Sequence, residues 1–163
     1  MGWLEEADRL RQNFRQRQAA ISQREDQLFK SLADELNRHV EAAKTRPEFS
    51  ALTVYREPDS VIIAFPADRS SSAISLPRQA AVSLDRDTHE VVADISGNDR
   101  EGSRQSFRLE VDGDDAVVFT RQDASLPVSE VAIYILWPLL YPEIGPYSGP
   151  KKQHIATVNI PGL

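Results

Sequence analysis

Ser106-Phe107-Arg108-Leu109-Glu110-Val111-Asp112-Gly113-Asp114-Asp115-Ala116-Val117-Val118-Phe119-Thr120 reads as two strands folded on each other. Phe107, Leu109 and Val111 alternate with Ser106, Arg108 and Glu110, the period of a strand with one covered face. Asp112-Gly113 supplies the positive φ angles that a tight hairpin turn needs, and residues 116–120 return as the partner strand.

The same pattern extends upstream. Residues 52–56 and 61–65 flank the turn signal Pro58-Asp59, and residues 80–84 and 88–95 flank Asp85-Arg86-Asp87. Residues 68–72 and 97–102 read as polar connections. Six strands in meander order predict an antiparallel sheet.

The period changes at Thr45-Arg46-Pro47. From Trp3 to Lys44 there is neither proline nor glycine, and Leu, Ala, Gln, Arg and Glu dominate, which predicts one long helix. Leu4, Ala7, Leu10, Phe14, Ile21, Leu28, Leu32, Leu36, Val40 and Ala43 form one apolar stripe. Such a helix reaches about 60 Å, whereas a domain built from the remaining residues is about 35 Å across. Either it breaks at Ser22-Gln23-Arg24-Glu25, a capping-box pattern, or its first half projects and meets another copy or another protein. The second half is dense in Leu and Val and reads as core. In the first half Leu10, Phe14 and Ile21 keep the stripe, but Arg17 and Arg24 occupy the complementary seam, poor for an isolated coiled coil.

Downstream, residues 128–141 are apolar on nearly every side. With Pro127 placed for a first helical turn, they predict a short buried helix that ends or kinks at Pro138, a strand being the other reading. The tail from Pro142 is rich in Pro and Gly, with a candidate edge strand at 154–160. The expected class is therefore α+β, with a helical oligomerisation or docking region at 1–46 and an antiparallel β-domain with C-terminal helix and tail at 47–163.

The net charge of −6 is unevenly placed. Residues 1–46 hold 9 Lys/Arg against 8 Asp/Glu, leaving 10 against 17 for residues 47–163. An acidic domain repels phosphate backbones, which weighs against nucleic acid and toward a protein partner. There is no cysteine, so disulfides, thiol catalysis and thiolate zinc sites are excluded, and a reducing, cytoplasmic location is expected. No apolar run approaches the roughly 20 residues of a membrane span, and residues 1–6 carry neither a secretion nor a myristoylation signal.

Few residues invite chemistry. His39 suits a late helical turn, where a cation favours the dipole, and His154 lies in the tail. Strand alternation puts His89 on the apolar face with Val91, Ala93 and Ile95, near Asp85 and Asp87. These three, with Trp137, are the candidate ligand contacts. Trp137, Tyr134, Tyr141 and Tyr147 line a groove or plug the core. Asp112-Gly113-Asp114-Asp115 lacks the spacing of a calcium loop. Ser70-Ser71-Ser72 lacks the frame of a nucleophile elbow, and no glycine-rich phosphate loop exists. Arg9, Arg11, Arg15, Arg17 and Arg24 occupy a run of sixteen positions without an acid, a basic face fit for solvent, a helical interface or, less well, nucleic acid. Neither metal nor cofactor is expected. The reading is a non-enzymatic interaction protein, an adaptor, inhibitor or assembly subunit, with Leu10, Phe14, Ile21, Arg11, Arg15 and Arg17 as the interface. The alternative is a small-molecule-binding or hydrolytic domain with a pocket near His89.

Overall fold

The computed structural model describes residues 2–66, 77–97 and 100–149, with the backbone alone at Arg100 and Glu101. Helix α1 spans Trp3–Ala43 without a break. Strands β1 (Thr53–Glu57), β2 (Ser60–Phe65), β3 (Arg78–Asp85), β4 (Glu90–Gly97), β5 (Arg100–Val111), β6 (Val117–Arg121) and β7 (Ala124–Leu126) follow, and helix α2 spans Val128–Leu140. The strands pair antiparallel in sequence order into an open seven-stranded sheet. The serine cluster, His154 and the candidate strand at 154–160 lie outside the described residues.

Register decides which face is covered. Val61 pairs with Val82, Val82 with Ala93, and Ala93 with Gln105; in the next row Leu84 pairs with Val91 and Val91 with Phe107. All the apolar members of these rows are buried, because α1 and α2 pack on this one face and on each other. The opposite face carries Tyr55, Ile62, Asp94 and Arg104, all exposed. One hydrophobic cluster joins Ile21, Phe29, Leu32, Leu36 and Val40 of α1 to the sheet and to Val131, Ile135 and Leu139 of α2.

Two features of the sheet differ from the sequence expectation, each for a local reason, and one of the two readings of α1 is decided. A seventh strand exists because Gln122 and Asp123, the two residues between β6 and β7, both take positive φ, 51° and 64°. That is the conformation of a type I′ turn, here without the glycine that normally signals it. The β5–β6 turn is not closed at Asp112-Gly113. Val111 pairs with Val117, the left-handed residue is Asp115 at φ 59°, and Asp112 Oδ1 accepts the backbone N–H of Asp114 and Ala116, each at 2.9 Å. The capping-box pattern at Ser22 is unused, since Glu25 turns inward.

The apolar stretch after Pro127 is a helix with Pro138 inside its last turn. Pro138 has no N–H to give to the carbonyl of Tyr134, four residues back. Gln105 Nε2 donates to that carbonyl instead, at 2.8 Å. Gln105 is placed to do so because its register puts it on the covered face, in the row of Ala93.

Candidate interaction site

The apolar stripe of α1 does not stop where the sheet stops. At about 100° per residue, Trp3, Ala7, Leu10 and Phe14 fall on the same side of the helix as Ile21, Glu25 and Leu32. From Ile21 onward this side is buried in the chain's own core. Before it, the side is bare: Trp3, Leu10 and Phe14 are 77%, 57% and 62% exposed, and Leu4, a quarter turn away at its border, is 62% exposed. Residues 3–13, about 16 Å of helix, thus carry an apolar face beyond the sheet, and from Phe14 to Gln18 the helix borders a recess whose other wall is the β3–β4 turn and β5. Of the interface residues expected from the sequence, Leu10, Phe14, Arg11, Arg15 and Arg17 lie on this exposed half, whereas Ile21 is 4% exposed and belongs to the core.

Charge along the exposed half is polar end to end. Glu5, Glu6 and Asp8 occupy its beginning and Arg9, Arg11, Arg15 and Arg17 the rest. Arg9 is tied to Glu6; among the described residues Arg11, Arg15 and Arg17 form no ion pair. An uncompensated basic face beside an apolar stripe offers both an anchor and an orientation to a docking partner.

The projecting half leaves the sheet at a polar clamp. Glu25, 4% exposed, lies inside the apolar stripe between Ile21 and Phe29. Its Oε2 is 2.8 Å from His89 Nδ1 and its Oε1 accepts from Arg86 at 3.3 Å. Arg86 also reaches Asp26 on α1 and Asp59 in the β1–β2 turn, both at 2.6 Å. These carboxylates raise the Arg86 guanidinium well above its ordinary pKa, the Asp59 hydrogen bond contributing most. The clamp therefore fastens α1 to two sheet turns at once. Farther along, Arg56 on β1 donates to Asp34 at 2.6 Å.

His89 is not on a strand. It occupies the turn before β4 at φ 54°, and its side chain reaches the helix because Leu109 N–H holds its carbonyl at 2.8 Å. Asp85 Oδ1 is occupied by the backbone N–H groups of Asp87 and Thr88, at 2.9 and 3.3 Å. Asp87 is exposed on the rim of a recess of about 430 Å³ where α1 departs from the sheet, bordered by Phe14, Ile21, His89 and Leu109. Trp137 is not part of this group. Its Nε1 donates to Gly145 O at 2.9 Å, and its ring packs on Tyr141 and Tyr147.

The aromatic set around Trp137 closes the other end of the sheet. A cavity of about 330 Å³ lies there between the sheet and the segment after α2, lined by Arg78, Gln105, Arg121 and Tyr147 among others. Arg78 stacks on Phe65 and Arg121 on Tyr134, with 4.6 and 4.4 Å to the ring centres. Burial first, and then the hydrogen bond to Glu130 at 2.9 Å, push the Tyr147 phenol up to about 12.

No family model, curated protein or solved structure matches this chain. Among the described residues no group of His, Asp and Glu is placed to hold a metal ion, and no helix is long and apolar enough to cross a membrane. The residue that sequence reading missed is Glu25. Its signal was present: a carboxylate four residues after Ile21 and four before Phe29, in the middle of a stripe otherwise apolar.

Proposed function

We propose that this chain is a non-enzymatic protein-interaction module, an adaptor, inhibitor or assembly subunit, that docks through the projecting half of α1. The observation that carries this reading is the run of Trp3, Leu4, Leu10 and Phe14 exposed on a helix whose continuation of the same stripe is buried at Ile21, Leu32, Leu36 and Val40. Large aromatic and aliphatic side chains aligned on one rigid helix face are the usual anchors of a helical docking contact. The acidic balance of residues 47–163 favours a protein over a nucleic-acid partner, and the lack of cysteine supports action in the cytoplasm. A ligand or hydrolytic site at His89 has less behind it, because the ring is engaged by Glu25 and the Asp85 carboxylate by backbone.

The test is a photo-crosslinking residue placed at Leu10, with the same residue at Gln12 on the opposite side of the helix as control. Irradiation in an extract of the source cells is expected to give a discrete adduct from position 10 and none from position 12. Equal labelling from both positions, or no adduct from either, overturns the docking reading.

A further inference from the structure

A partner for residues 3–20 must match an apolar stripe that ends abruptly at a sheet and a helix charged negative at one end and positive along the rest. A second copy of the same helix, run in the opposite direction, covers the stripe and keeps the acidic end away from its own duplicate. Resting on the docking reading above, we propose that two copies of this chain pair antiparallel through residues 3–20 of α1, with Leu10 of each against Phe14 of the other.

Direction follows from sterics and from charge. Beyond Ile21 the stripe is occupied by the chain's own sheet. A parallel partner helix would have to continue along that occupied side, and each sheet would collide with the other copy. An antiparallel partner avoids this, because the helices part at the sheet rim and the two folded bodies sit at opposite ends. Parallel pairing would also set Glu5, Glu6 and Asp8 against their own duplicates. The antiparallel register places residues 5–8 opposite residues 16–19 of the other copy, so the acidic end no longer faces its own duplicate and meets Arg17.

Register follows from size. With Leu10 opposite Phe14, the adjoining layers place Ala7 opposite Arg17 and Trp3 opposite Ile21. Arg17 is the residue that spoils the seam for a self-matched parallel coil. Here its long stem lies over the smallest residue of the stripe and its guanidinium reaches toward Glu6 of the second copy. Trp3 arrives at the recess of about 430 Å³ bordered by Ile21, Thr88, His89 and Leu109, whose rim carries Asp87 and Glu110 as acceptors for the indole N–H. Each copy thus supplies both a knob and a hole.

The two sets of Trp3, Leu4, Leu10 and Phe14 bury on the order of 1,000 Å² in total, at the small end of specific interfaces. An interface of this size is that of a reversible contact. Sedimentation of the purified full chain from about 1 to 200 μM is expected to pass from one chain mass to two. Since the chain has no cysteine, Gln27→Cys places a single nitroxide on an exposed helix position outside the stripe. Antiparallel pairing in this register separates the two labels by about 45 Å, whereas parallel pairing brings them within about 20 Å.

Phe14→Glu is expected to weaken the dimer at least tenfold while leaving the thermal melt of the monomer unchanged, because Phe14 is 62% exposed in the single chain. A chain that stays monomeric at 200 μM, a higher oligomer, or a short label distance overturns the proposal. If the chain is monomeric and the Leu10 crosslink joins a different protein, the second copy is refuted and the docking reading stands. If neither pairing nor crosslink is seen, both fall.

Discussion

Replacing Glu25 with alanine removes a buried carboxylate from the junction where α1 leaves the sheet. Two partners are affected unequally. His89 has a side chain only 15% exposed and loses the acceptor of its Nδ1. Arg86 is 43% exposed and keeps Asp26 and Asp59, each at 2.6 Å. Removing the carboxylate partner of a buried hydrogen bond costs about 1–3 kcal/mol when nothing replaces it. With Arg86 retaining its other carboxylates, the loss falls on the His89 side, about 2–3 kcal/mol. For a chain of this size that corresponds to a melting temperature lower by about 4–12 °C. Glu25→Gln keeps the shape and one hydrogen bond to the imidazole, so about 1 kcal/mol is expected. Urea unfolding followed by far-UV circular dichroism measures both, with an unchanged slope confirming that only stability moved. The double variant of Glu25 and His89 is expected to show a coupling of about 1–2 kcal/mol. A Glu25→Ala loss below about 0.5 kcal/mol, or a coupling near zero, would refute the view that this contact fastens helix to sheet.

Two further outcomes are expected. Tyr147, with its phenol pushed up to about 12 by burial and Glu130, favours the fold below the unfolded tyrosine pKa of about 10; that contribution is lost as pH rises through about 12. Absorbance titration at alkaline pH is therefore expected to show late ionisation that Tyr147→Phe removes; a titration the variant leaves unchanged counts against the assignment. Gly97 has φ +125°, and a Cβ there would sit 2.2 Å from Pro77 O. Gly97→Ala is expected to cost at least about 2 kcal/mol by urea unfolding, and a neutral effect would mean that the β3–β4 edge yields easily.

The elements legible in the sequence were those set by local pattern. The uninterrupted helix-forming composition of residues 3–44, the alternation around Phe107 and Val82, and the apolar run after Pro127 each specify their own secondary structure, because side-chain period and backbone propensity act within a few residues. The seventh strand escaped because Gln122 and Asp123 adopt a turn conformation that glycine usually announces. The overlong helix was legible as well, since length and composition alone show that it exceeds the body it belongs to.

Partnership across the fold was decided elsewhere. Nothing near Glu25 in sequence says that it meets His89, 64 residues away, or that Gln105 serves the carbonyl left free by Pro138. Ile21 and Phe14 are the same kind of residue on the same stripe, yet one is core and the other bare. The difference is where the edge of the sheet falls along α1, and that edge is fixed by strand register and helix docking summed over the whole chain. A periodic sequence determines which face of a helix seeks cover; only the tertiary structure determines how far along the helix the cover extends.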